Sequence, residues 1–274
     1  MITGRQAVET IFAALAAQFP PLEAAREDGL LCFGGDLRPE RLLAAYSRGI
    51  FPWYEAGQPI LWWSPNPRCV LPLEDFRLPA RSARALRQKP FELTLDAAFG
   101  RVIRACAQAR TPHGGTWLTP AMIEAYDRLH AMGFAHSVEA WRDGELAGGL
   151  YGVGFGRVFF GESMFHVISE ASRAALAGLV GLLRLRGVTL LDCQQETPHI
   201  MKMGGVLLPR EIFMQRLREA LAPPADAEPG VGLPATDHVI CGDTLHKVPD
   251  EQVWQPWRER YDYSLSSGAW ASRS

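Results

Sequence analysis

Two stretches, LLDCQQETPH at residues 190–199 and RVFFGESMFH at 157–166, decide how this chain is read. Each opens as an apolar, strand-like run. Each then places carboxylate or carboxamide groups where the core of a sheet disfavours them. Burying such a group costs free energy unless it is paired or hydrogen-bonded. Glu162, Asp192 and Gln194 therefore either sit at exposed strand ends or line a site.

Working outward, FAHSVEAW, ELAGGLYGV and GRVFFGE succeed one another across an RDG turn and a glycine-rich junction. That pattern predicts an antiparallel meander with Glu162 at the end of its third strand. Ser169 is placed to cap a helix running to about Arg186, and VTLLDCQ forms a further strand. Thr197 and Pro198 start a short helix closed by Gly204 and Gly205, and Pro209 opens the last one. Upstream, FELTL (91–95) is a strand and Asp96 is placed to cap a helix over 97–108. Thr119, Pro120 and Gly133 bracket another helix, with Met122, Ile123, Tyr126 and Leu129 at helical spacing. Residues 6–18 suit an amphipathic helix, and Pro39 opens one that carries Leu42, Leu43 and Tyr46 on one face. Between them Asp36 can accept backbone N–H bonds after the Gly34–Gly35 turn. The stretch GIFPWYEAGQPILWWSPNPRCVL (49–71) sets Trp53, Tyr54, Trp62 and Trp63 among Pro52, Pro59, Pro65 and Pro67. Such spacing excludes a continuous helix or a central strand. These signals divide the chain into a small domain (1–66), a second domain (67–222) and a linker with a C-terminal extension (223–274).

Composition narrows the function classes. Hydrophobic residues make up 47% and charged residues 21%, with a formal net charge of −2. Residues 223–274 hold eight acidic and four basic side chains, which leaves a modest basic excess on the body. The five cysteines are scattered, and His238, Cys241 and His246 lack a fourth ligand at zinc spacing, so no metal is expected. No apolar run approaches membrane-spanning length, so a soluble, cytoplasmic monomer is expected.

The element order describes an α+β protein in which a small N-terminal domain precedes an α/β sandwich that resembles the acyltransferase (GNAT-like) fold. The acetyl-CoA loop of that fold is missing, because MFHVISEASRAAL stands before the long helix. The glycines of GGLYGVGFG (148–156) lie between strands and form no dinucleotide fingerprint.

Longer matches are more specific. GLLCFGGDLRPERLLAAYSRGIFPWY, ILWWSPNPRCVL, GTWLTPAMIEAYDRLHAMGFAHSVEAW, LAGGLYGVGFGRVFFGESMF, LLDCQ and a GG-x-x-x-PR-x-x-F close run in order over about residues 29–215. Together they resemble the leucyl/phenylalanyl-tRNA–protein transferase family. The resemblance implies transfer of Leu, Phe or, less efficiently, Met from its tRNA to proteins beginning with Arg or Lys, which generates an N-degron. The donor ester is already activated, so no cofactor is expected and aminoacyl-tRNA is a co-substrate. The resemblance also implies a catalytic centre of Glu162, Asp192 and Gln194. In that reading Glu162 meets the acceptor's cation, and Asp192 holds the NH2 end of the Gln194 amide from the same strand face. Trp53 and Trp117 match tryptophans near the terminal adenosine of the tRNA, and Tyr126 either aims its hydroxyl into the same cleft or is core. Met164, Phe165, Val153 and Phe155 are candidates for the apolar donor pocket. Two other classes remain open: a CoA-dependent N-acetyltransferase, against which the missing loop speaks, and a non-catalytic tRNA- or degron-binding module. The module has no use for Glu162, Asp192 and Gln194 together.

Overall fold

The computed structural model describes residue 16 and residues 18–110 and 117–222. The helix expected over 6–18 lies largely outside these residues, as do the C-terminal extension and the His238, Cys241 and His246 trio. The first elements are β1 (Leu30–Phe33), α1 (Pro39–Tyr46), β2 (Phe51–Pro52), β3 (Leu61–Trp63) and β4 (Arg68–Val70). Then come α2 (Ala80–Gln88), β5 (Glu92–Leu95), α3 (Phe99–Arg110) and α4 (Pro120–Ala131). The meander is β6 (Ala135–Arg142), β7 (Glu145–Phe155) and β8 (Val158–His166), followed by α5 (Ala171–Leu185) and β9 (Leu190–Gln194). The chain closes with α6 (Pro198–Met201), β10 (Val206–Leu208) and α7 (Arg210–Leu221).

The small sheet has the order β1-β3-β2 and the large one β10-β4-β9-β8-β7-β6-β5. The prolines of 52–67 bracket strands rather than abolish them: β3 lies between Pro59 and Pro65 at the centre of the small sheet, and β4 starts just after Pro67. Three-residue strands need few ladder bonds, so a proline beyond each end removes none of them. Pro52 itself stands on an edge strand of the small sheet, where the missing N–H does no harm.

Side chains alternate between two hydrophobic cores, one on each face of the large sheet. Val158, Phe160, Val153 and Leu190 enter the core shared with α1, α3, α4 and α7. Phe159, Leu150 and Leu191 enter the core beneath α2 and α5. Gly148 lets α5 close on the sheet, since a Cβ there would stand 2.6 Å from the Ala171 methyl group.

Two helix starts differ from the sequence reading. Asp96 adopts φ +56° and turns its carboxylate to Ser137 N–H and the His136 ring, so it does not cap α3. The first N–H groups of that helix, at Ala97 and Ala98, donate instead to Glu139 on β6. Ser169 does not cap α5 either; Glu170, in the left-handed region at φ +74°, occupies the cap position without a side-chain bond to the helix N–H groups. Thr119 caps α4 and Thr197 caps α6 as expected. Fully buried Glu139 also accepts from Ser137 Oγ and Thr94 Oγ1, at 2.5 and 2.6 Å. Glu139→Ala strands both hydroxyls and the start of α3, and is expected to cost about 2–3 kcal/mol in urea unfolding.

Candidate active site

β8 and β9 run parallel and pair only from Val158↔Leu190 to Phe160↔Asp192. Beyond that point both strands bulge. On β8, Gly161 faces Gly152 and Ser163 faces Tyr151, which makes Glu162 the extra residue. On β9, Asp192 faces Val70 and Gln194 faces Cys69, which makes Cys193 the extra residue. A bulge bends its strand and re-aims the side chains around it. The two bulged segments part, and a cavity opens between them.

The larger cavity, about 350 Å³, is lined by Leu150, Met164, Leu176, Leu179, Leu191 and Ile200 on its apolar walls, and by Glu162 and Gln194 among its polar groups. A smaller one, about 150 Å³, is lined by Phe51, Pro52, Trp53, Trp117, Glu162 and Gln194. Glu162, Cys193, Gln194 and Thr197 line both. Trp53 is 39% exposed at the rim, edge-on to Trp63, whose indole N–H donates to the Trp53 carbonyl.

Glu162 is a mid-strand residue, not the end of a strand, because β8 continues to His166. Tyr46 Oη lies 2.7 Å from Glu162 Oε1, Tyr126 Oη 2.9 Å from Oε2, and the two phenol oxygens 2.6 Å from each other. Burial pushes the Glu162 carboxyl up to about 7, reinforced by Asp192 and opposed by the two tyrosine bonds and by Arg68. Both phenols are fully buried, and burial with the nearby Glu162 charge raises them well above their ordinary range.

Asp192 lies behind this wall. It is paired with Arg68 through Nε–Oδ1 at 2.9 Å and Nη2–Oδ2 at 2.7 Å, with side chains 1% and 0% exposed. Its Oδ1 also accepts the main-chain N–H of Gln194 at 2.9 Å. The expected grip of Asp192 on the Gln194 amide is therefore absent. The Cys193 bulge and a left-handed φ of +57° at Gln194 break the shared strand face. Gln194 Nε2 is buried and has no hydrogen-bond partner among the described residues.

The structure brings Trp53, Trp117, Glu162, Met164 and Gln194 to the cavity walls, with Tyr126 behind Glu162. Val153, Phe155 and Phe165 do not line either cavity; they pack in the core on the α1–α3–α4 face, Phe155 against Phe160. The bulge at Glu162 inverts the alternation, so Met164 and Phe165 swap the faces that a regular strand gives them. Tyr46 and Arg68 join the site without having stood out in the sequence as site residues. Their signals are slight: a phenol ending an otherwise aliphatic helix face, and an arginine opening the apolar run RCVL.

A small α/β domain set against a mixed-sheet, GNAT-like domain, with a cavity where its parallel strands part, defines an acyltransferase-like enzyme. Residues 70–218 match the family described as leucyl/phenylalanyl-tRNA protein transferase, and residues 35–66 match the N-terminal domain of that family. A leucyl/phenylalanyl-tRNA–protein transferase of Desulfatibacillum aliphaticivorans is 57% identical over 204 residues, covering 74% of this chain and 88% of the relative. One of Nitratidesulfovibrio vulgaris (strain DP4) is 54% identical over 211 residues, covering 77% and 90%. One of Syntrophotalea carbinolica is 53% identical over 212 residues, covering 77% and 92%. The chain belongs to this family of aminoacyl-tRNA–protein transferases. Among the described residues no helix is long and apolar enough to cross a membrane, and no cluster of three or more His, Cys, Asp or Glu side chains is placed to hold a metal.

Removing Arg68 leaves a buried carboxylate uncompensated. Arg68→Met is expected to cost about 3–5 kcal/mol. In urea titrations the double variant Arg68→Met/Asp192→Leu should recover part of that loss, because the stranded charge is gone.

Proposed function

We propose that the enzyme transfers Leu, Phe or, less efficiently, Met from aminoacyl-tRNA to the N-terminal Arg or Lys of a protein, forming a peptide bond and an N-degron. The observation that carries this reading is that Glu162 and Gln194 border an indole-lined recess and an apolar cavity at once. The donor then lies across that border. Its terminal adenine stacks at Trp53 and Trp117, which suits a flat ring whose edge is not read. Its side chain enters the apolar cavity, where flexible Met164 tolerates both Leu and Phe shapes. The ester sits between, beside Gln194.

Attack by the acceptor's α-amine forms the C–N bond and breaks the ester C–O bond, leaving a ribose hydroxyl. An α-amino group with a pKa near 8 is partly neutral at pH 7, so a strong base is not required. The Gln194 carboxamide, whose Nε2 has no partner among the described residues, is available to the reacting oxygen or amine. Glu162 takes the acceptor's cationic group. Asp192 acts at one remove, by fixing the Gln194 main chain and neutralising Arg68. Activation already resides in the ester, so the protein contributes position and dipoles.

Labelled Leu should pass from Leu-tRNA to an Arg-starting peptide in EDTA with no added cofactor, and a Gly-starting peptide should accept far less. Equal use of the two peptides, or rescue of a failed reaction only by CoA or zinc, would count against the reading. Trp53→Ala should weaken donor binding by about 1–3 kcal/mol, the worth of one stacked base. With slow chemistry it should raise donor KM more than it lowers kcat. An unchanged donor KM in the folded variant would assign the indole to packing.

A further inference from the structure

The three oxygens around Glu162 pose a counting problem. The contacts Tyr46–Tyr126, Tyr46–Glu162 and Tyr126–Glu162 close a triangle at 2.6, 2.7 and 2.9 Å. Each such approach between oxygens needs a proton between them, because facing lone pairs repel at hydrogen-bond distance. Two phenols supply two protons. If the carboxyl is ionised, one side of the triangle has none. If both phenols donate to the carboxylate, their own oxygens meet bare at 2.6 Å, the shortest of the three sides. If one phenol donates to the other, a carboxylate oxygen and a phenol oxygen meet bare instead.

We infer that without an acceptor Glu162 is a neutral acid, its proton completing a closed ring of three hydrogen bonds with Tyr46 and Tyr126, and that an acceptor's cation displaces this proton to solvent. The second half rests on the proposed placement of the acceptor at Glu162; the first does not. Tyr46 and Tyr126 are then positioning residues. They hold the carboxyl against the cavity wall and fix the conditions under which it becomes charged.

The surroundings agree. The charged and titratable groups around the ring are Asp192 on β9, which opposes ionisation, and Arg68 on β4, which favours it. Tyr151 on β7 stacks edge-on against Tyr126. Arg68 is already neutralised by Asp192, so it offers Glu162 little net compensation. Burial places the Glu162 carboxyl at about 7. A site of this kind presents no standing negative charge to a neutral ligand and acquires one only when a cation arrives to stabilise it. That is a source of selectivity for N-terminal Arg and Lys, since an uncharged residue cannot draw off the proton.

Infrared spectroscopy of the substrate-free protein tests the ring. A protonated-carboxyl band that is absent from Glu162→Gln should be present at pH 6 and titrate away near neutrality. Opening the ring takes one hydrogen-bond partner from the carboxyl, so in Tyr126→Phe and Tyr46→Phe, each shown folded by circular dichroism, the C=O stretch of that band should move to higher frequency. An unshifted band in both folded variants, or an ionised Glu162 at pH 6 in the parent protein, overturns the inference. For the second half, calorimetry at pH 6 in two buffers of different ionisation enthalpy should show an Arg-starting peptide releasing about one proton on binding. Glu162→Gln should release none. A peptide that binds the parent protein without proton release overturns the coupling. A peptide that fails to bind overturns the acceptor placement, and the substrate-free band still judges the ring.

Discussion

The buried Arg68–Asp192 pair ties together separate parts of this structure at one point. Arg68 donates twice to Asp192, once to the Gly49 carbonyl, and lies over the rings of Phe51 and Phe213 at 4.9 and 4.7 Å. One guanidinium thus touches the turn after α1, β2, β9 and α7. A buried ion pair recovers its desolvation cost only when geometry is good and the remaining lone pairs are satisfied. Here the fork is bidentate, and Asp192 Oδ1 also receives the Gln194 N–H. The pair therefore fixes β9 at the residue where it leaves β8, and it ties the small sheet to that point. It also consumes the charge of Asp192, which is why that carboxylate is poorly placed to serve as a base.

That anchor sets the geometry of the cavity. Parallel strands that stay paired leave no space between them, whereas β8 and β9 separate just past Phe160↔Asp192. Each then carries one extra residue, Glu162 or Cys193, and both extra residues line the cavity. The left-handed backbone of Gln194 belongs to the same departure from regularity. Strain of this kind persists only where its surroundings enforce it. The enforcement here is the Asp192 carboxylate holding the Gln194 N–H.

Local grammar makes much of the fold legible. Thr119 with Pro120 and Thr197 with Pro198 announce two helix starts because capping chemistry acts within three residues. The meander is legible because its turns are marked by glycine and aspartate. Asp96 misleads for the opposite reason: its bonds go to Ser137 and His136 across a strand pair, and Glu139, 41 residues beyond Ala98, caps the helix in its place. Within the candidate site, residue type points to Trp53, Trp117, Glu162 and Gln194, all of which line a cavity. Alternation fails at Phe165, since the bulge at Glu162 inverts every side chain after it and leaves no mark in composition, whereas Val153 and Phe155 alternate regularly along β7 but face the α1–α3–α4 core. Tyr46 and Arg68 are obscured because they act through partners 116 and 124 residues away.

The electrostatics of the wall bear on mechanism. Cys193 lines both cavities, yet burial raises its thiol well above the ordinary range, with Cys69 and Asp192 adding to the effect. A thiol held protonated is a poor nucleophile, so a thioester intermediate on Cys193 has no support. Asp192 is neutralised by Arg68, and Glu162 is pushed toward its acid form. In the proposed reaction the ester thus faces dipoles and polar hydrogens, with little fixed charge. For a donor that arrives already activated, that is sufficient: direct transfer needs the amine and ester held in line and a preorganised donor for the oxygen that gains charge. A strongly basic wall would add the hazard of water attacking the same ester. In the proposed reaction, a nearly neutral pocket that is charged only in the presence of a cationic acceptor would favour peptide-bond formation over hydrolysis through the timing of charge as well as through shape.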